Sequence, residues 1–140
     1  MGSDMLPWHE RRDHTAEVEL RIRAGSMADL LSEAGRALAE VQISGADCGP
    51  GGPVREIRVV APDREALLVD WLNELIFLAD IDRWVALDFS IDSAYDQEVR
   101  ARASGVTLEW APSRVKAATF HGLRIEEVPD GLQANIILDV

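Results

Sequence analysis

Asp13, His14 and Glu17 lie within one short segment near the start of the chain. A carboxylate two or three residues from an imidazole can share a metal ion with it, since divalent cations accept oxygen and nitrogen donors. Such groups are usually solvated surface residues, because charged side chains are mostly exposed. At the other end Asp139 precedes Val140, the last residue of the sequence, so a side-chain carboxylate and a chain-terminal one come within reach of a single cation. Oxygen-only ligation suits a hard ion such as Ca²⁺, Mg²⁺ or Mn²⁺. The alternative is a frayed acidic end.

Other polar residues offer less. Asp70 stands among apolar residues of a predicted helix, where a solvent-facing position is the ordinary reading. His121 precedes Gly122 in a strand region, and a hydrogen-bonded structural histidine is expected there. No serine or cysteine stands on a recognisable strained turn or beside a base in sequence, so no hydrolytic triad is indicated and no enzyme is predicted.

The elements that must position these residues follow from periodicity. Val18, Leu20 and Ile22 alternate with charged residues from Thr15 to Arg23, which predicts a first strand wet on one face. Ser26 and Asp29 resemble a capping box, and Met27, Leu30, Leu31, Ala34, Leu38 and Val41 follow at helical spacing. The glycines and prolines of residues 44–53 predict a mobile loop. That loop leads into the strand Val54 to Val60 and not into a helix, which argues against a phosphate cradle.

Asp63 is a plausible N-cap for a second, central helix whose apolar stripe runs from Leu67 to Ala79. Four alternating segments complete the chain: Val85 to Ile91, Tyr95 to Ala103, Val115 to Glu126 and Leu132 to Val140. Pro129, Asp130 and Gly131 turn the last two into a hairpin, tying down the chain end. The order is that of an α+β protein, two helices packed on a mainly antiparallel sheet.

The totals set limits. At 140 residues and 47% hydrophobic content the chain fits one domain, residues 1–140, with disorder expected at the ends, residues 1–12 in part, and in the glycine-rich loop. Twenty-five Asp and Glu against 14 Lys and Arg give a formal charge of −11, which argues against autonomous nucleic-acid binding and favours cations and basic protein surfaces as partners. Cys48 is the only cysteine, which excludes an internal disulfide and a Cys-based zinc site and makes a cytoplasmic setting the expectation. Asp70, Asn73 and Glu74 interrupt the most apolar helix and no signal sequence is evident, so no membrane association is expected.

Three segments together resemble the archease family: Asp13 to Glu17, Glu65 to Leu75, and Val115 to His121. The closing Ile136 to Val140 is similar to the family's ending, and the four pieces occur in family order. The resemblance implies an archease-like single domain and a non-catalytic accessory protein. Such a protein assists the GTP-dependent, RtcB-type RNA ligase of tRNA splicing and RNA repair, promoting guanylylation of the ligase's histidine and multiple turnover. It further implies a divalent ion, Ca²⁺ first with Mg²⁺ or Mn²⁺ as alternatives, bound by the acidic residue closing the first motif and by the acidic residue and carboxylate at the chain end. Carried onto this sequence these are Glu17, Asp139 and Val140. Asp13, His14, Asp70, Lys116 and His121 are expected to orient that cluster or to contact the ligase.

The chain departs from the family pattern in three places. Glu17 stands where Asp is usual, Phe120 where Tyr is frequent, and around Gly105, where an acidic residue and then a His are common, this chain reads Val106-Thr107-Leu108-Glu109-Trp110-Ala111-Pro112. The alternative function is a chaperone-like or general protein-binding module that works through its acidic surface without metal.

Overall fold

A computed structural model describes residues 5–43, 52–112 and 114–140. Most of the predicted glycine-rich loop, residues 44–51 with Cys48, and the first four residues lie outside the described residues. The elements run β1 (Trp8–His14), β2 (Glu17–Ala24), α1 (Met27–Ile43), β3 (Val54–Val60), α2 (Arg64–Asp82), β4 (Trp84–Ala94), β5 (Glu98–Thr107), β6 (Ala117–Val128) and β7 (Gly131–Asp139).

The strands form two antiparallel sheets, one of four strands in the order β1-β2-β7-β6 and one of three in the order β3-β5-β4. Both helices pack against both sheets, so the main core lies between the layers, with a smaller cluster of Ala39, Ala79, Val85 and Leu108 beside it. Along β2 the alternation is realised fully: Leu20, Ile22 and Ala24 are buried, while Glu17, Glu19, Arg21 and Arg23 are half-buried on the outer face.

Both helices start where the sequence places their caps. Ser26 Oγ accepts the backbone N–H of Asp29 at 3.2 Å, and Asp63 accepts that of Ala66 at 2.8 Å, each satisfying a donor left unpaired in a first turn. The last turn of α2 closes with Arg83 in the left-handed region at φ 54°, its N–H donating to the Ala79 carbonyl. Inside, Trp71 of α2 is wholly buried and satisfies its indole N–H on the Leu31 carbonyl at 2.9 Å, pinning the two helices together.

One strand goes beyond the sequence reading. Residues 8–14, most of which the sequence reading assigned to a partly disordered start, form β1, paired along its length with β2. Its polar composition carries no alternation because it is an edge strand exposed over most of its length. The remaining strand bounds shift by a few residues; Tyr95, for instance, belongs to the β4–β5 turn and not to β5. Among the described residues no helix is long and apolar enough to cross a membrane.

Candidate metal centre

Thr15 and Ala16 close the β1–β2 hairpin, with His14 paired to Glu17. Ala16 takes φ 63°, a left-handed conformation uncommon for a residue other than glycine. Its carbonyl accepts the backbone N–H of Val140 at 3.1 Å, so the last residue is fastened to the turn that carries Glu17.

The register does the rest. Glu17 on β2 stands directly opposite Asp139 on β7, and Asp139 stands opposite Ala117 on β6. Partners across an antiparallel ladder project from the same face with Cβ atoms about 4.5–5.5 Å apart. The two carboxylates therefore share the outer face of the four-stranded sheet, in one row with His14 and Ala117. Two like charges so placed repel unless a cation lies between them. The Lys116 N–H donates to the Asp139 carbonyl at 2.7 Å, fixing the strand end from the β6 side.

Among the described residues no three His, Cys, Asp or Glu side chains are close enough to hold an ion. A cation here would take the carboxylates of Glu17 and Asp139 and, as a third protein donor, the terminal carboxylate of Val140. Such a set is oxygen-only and fits a hard ion, whose shell of six to eight oxygens leaves places for water or a partner's groups.

The other candidate residues are placed unevenly. His14 is exposed beside Glu17, with Nε2 3.7 Å from Glu19 Oε2. Asp13 pairs with Val18, so it projects from the opposite face, where Arg11 Nε donates to it at 2.6 Å. Lys116 is exposed and reaches the row through its backbone. Asp70 is exposed on α2, as its solvent-facing reading expects.

The expectation for His121 is corrected: the side chain is exposed and not built into the core. It lies in a bulge of β6 between Thr119 and Arg124, where Gly122 takes φ 66°, and its backbone N–H donates to Thr119 Oγ1 at 3.3 Å.

Asn73 is a positioning residue that the sequence reading did not single out. Its Nδ2 donates to the Ala118 carbonyl at 3.3 Å and its Oδ1 accepts the Ala118 N–H at 2.8 Å, locking α2 to β6 one residue from the Asp139 row. The available signal was an amide inside an otherwise apolar helical stripe. Arg64 adds a second tie, donating to the Ile125 carbonyl at 3.1 Å.

Residues 9–140 match the profile of the archease protein family. The protein archease of Methanosarcina acetivorans is 31% identical over 142 residues, spanning 94% of this chain and 95% of the relative. That of Methanopyrus kandleri is 32% identical over 144 residues, spanning 96% of this chain and all of the relative. Protein 1598 of Methanobacterium thermoautotrophicum superposes with a TM-score of 0.74 at 27% identity, covering 94% of this chain and 98% of the other. An archease of Thermotoga maritima, described as a possible chaperone, superposes with a TM-score of 0.66 at 20% identity, covering 95% of this chain and 99% of the other; at that distance it shares the fold alone.

Proposed function

Because the chain belongs to the archease family, we propose that it is a metal-binding, non-catalytic activator of a GTP-dependent RNA ligase of the RtcB type, acting in tRNA splicing or RNA repair in the cytoplasm. The observation that carries this reading is the cross-strand placement of Glu17 against Asp139 beside the tethered Val140. Glu17, Asp139 and the Val140 carboxylate would hold the ion, Ca²⁺ in first place with Mg²⁺ or Mn²⁺ as alternatives. When bound, the ion supplies positive charge for the polyphosphate of GTP.

This chain's own part is presentation. The turn at Thr15 and Ala16 and the pairing of β7 between β2 and β6 hold the carboxylates at the sheet's end, where a partner's groups can complete the coordination shell. The acidic end docks on a basic, nucleotide-binding mouth of the ligase, with the net charge of −11 favouring encounter. The exposed His14 and Lys116 flank the row, available to contact the partner.

The test is guanylylation of the cognate ligase with GTP and metal, at substoichiometric amounts of this protein, comparing wild type with Glu17→Ala. Stimulation that the variant loses supports the activator and its ion site together. Equal stimulation by both removes the ion site. No stimulation by wild type removes the ligase and favours a chaperone-like or general protein-binding role.

A further inference from the structure

The outer face of the four-stranded sheet changes character away from the acidic end. Arg21 and Arg23, two apart on β2, face Asn135 and Gln133 on β7. Arg21 Nε donates to Asn135 Oδ1 at 3.4 Å, and Arg23 Nε donates to Gln133 Oε1 at 2.5 Å. Most surface arginines of this chain go to carboxylates, as Arg58 does to Glu98 and Arg102 to Asp92. Arg21 and Arg23 make no ion pair among the described residues. Glu10, opposite Arg21, pairs with Arg12 at 3.4 Å, Glu19, two residues from Arg21 on the same face, lies 3.7 Å from His14, and Glu126, opposite Gln133, pairs with Arg124 at 3.0 Å.

A neutral amide on Nε orients a guanidinium without neutralising it. The two terminal nitrogens, the fork that grips phosphate oxygens in a bidentate manner, stay directed away from that bond. The same arrangement occurs twice in register, with forks spaced by two strand residues, roughly 6.6 Å. Trp8, opposite Arg23 on β1, places its ring centroid 5.4 Å from that guanidinium and adds a flat apolar surface to the same row.

We propose that Arg21 and Arg23 form a binding comb for the phosphodiester backbone of single-stranded RNA, lying along β2 toward the acidic end. An open four-stranded sheet with regularly spaced guanidiniums, amides and an indole suits a chain that alternates phosphates with stacking bases. An acidic peptide would use the charge and leave the planar groups unmatched. The proposal rests on the ligase reading for its setting, since RNA held there would run toward Glu17, four residues or roughly 13 Å from Arg21 along β2. The charge of −11 keeps binding by the free protein weak. In the complex, RNA already held by the ligase would meet the comb at high effective concentration.

The test uses the full ¹⁵N-labelled chain without ligase or added metal, at low salt, following arginine Nε signals during titration with an unstructured RNA oligonucleotide. Polyglutamate and inorganic phosphate serve as parallel titrants. RNA is expected to shift the Arg21 and Arg23 signals, with the other two titrants far weaker. Arg21→Lys with Arg23→Lys keeps the charge and loses the fork, and should weaken binding about tenfold. Arg21→Gln with Arg23→Gln should flatten the salt dependence by about 1.4 in the log–log slope, the contribution of two single-strand phosphates.

Equal binding of polyglutamate, shifts confined to other faces, no shifts at millimolar RNA, or a lysine variant that binds as tightly would each overturn the proposal. Glu17 and Asp139 are untouched in every variant and no ligase is present, so failure here leaves the activator reading standing.

Discussion

The backbone N–H of Val140 donates to the carbonyl of Ala16 at 3.1 Å, while Ala16 holds a left-handed φ of 63° to present that carbonyl. A residue other than glycine in this region costs about 1–2 kcal/mol, so the turn is held by its surroundings. The chain end is thereby kept beside Glu17. In the proposed ion site, extending the chain past Val140 by even a short tag would convert its carboxylate into a peptide carbonyl and remove a charged donor. Calcium affinity measured by titration calorimetry should fall about ten- to hundredfold. Unchanged affinity would take Val140 out of the site.

Glu17 and Asp139 oppose each other with like charge, which gives their replacement a distinctive sign. Without metal, Glu17→Gln or Asp139→Asn should be neutral or slightly stabilising, because cross-strand repulsion is relieved. With calcium at a hundred times its dissociation constant, wild type should gain about 2.7 kcal/mol, and chelation should remove the gain. Each variant should lack that increment in thermal melts. A variant that retains it would show that the carboxylate it lost is not a ligand.

Asn73 spends its whole amide on the backbone of Ala118. Asn73→Ala leaves an N–H and a carbonyl without that partner and should destabilise the fold by about 1–3 kcal/mol in urea titrations. Asn73→Asp keeps the acceptor for the Ala118 N–H but turns a carboxylate oxygen toward the Ala118 carbonyl, setting two acceptors against each other, so it should not recover the lost stability. Because Ala117, the next residue, pairs with Asp139, metal affinity should weaken in Asn73→Ala even where the protein stays folded.

His9 gives the stability a defined pH dependence. Its Nδ1 lies 2.7 Å from Glu33 Oε2 and its Nε2 2.7 Å from Glu40 Oε2, fastening β1 to α1; Arg36 also reaches Glu33, at 3.5 Å. Burial by itself would lower the imidazole pKa, but the hydrogen bonds to Glu40 and Glu33, with their charges, outweigh it and raise the pKa above 6.5. A raised folded-state value means that the contribution is complete below pH 6.5 and is lost as pH rises through the folded-state pKa. Wild-type melting temperature should therefore decline across that window, and His9→Gln should flatten the decline. An unchanged slope in His9→Gln would place the titration elsewhere.

What the sequence disclosed depended on whether a signal was local. β2, β3 and both helix starts were legible because alternation, Ser26 and Asp63 are local statements about one element. β1 was not, since an edge strand exposed over most of its length needs no apolar alternation, and its pairing is determined by β2. Glu17 and Asp139 could be suspected singly, but their shared row is a property of the β2–β7 register. The amide-bound Arg21 and Arg23 have partners far away in sequence, so nothing near them marks their roles, and for Asn73 the amide inside an apolar stripe is a local signal that does not name Ala118 as its partner.

Gly131 and Gly122 separate two reasons for glycine that sequence alone merges. Gly131 follows Pro129 and Asp130 and reads as a turn residue, yet it is absent from the glycines with positive φ. Its requirement is space: an added Cβ would be driven into the Ala24 carbonyl oxygen and would come within 2.8 Å of Gly25 Cα, both backbone atoms that cannot swing aside. Gly122 is the reverse, with φ 66° and nothing within 4 Å of an added Cβ. Gly131→Ala should cost about 1–3 kcal/mol, toward the upper end because backbone must move. Gly122→Ala should cost about 1 kcal/mol from conformation alone. The two also differ in remedy: asparagine, which tolerates the left-handed region, should recover stability at position 122 and none at 131. Urea titrations of the four variants decide the matter, and recovery by asparagine at 131 would mean that conformation, not the approach of Ala24, demands glycine there.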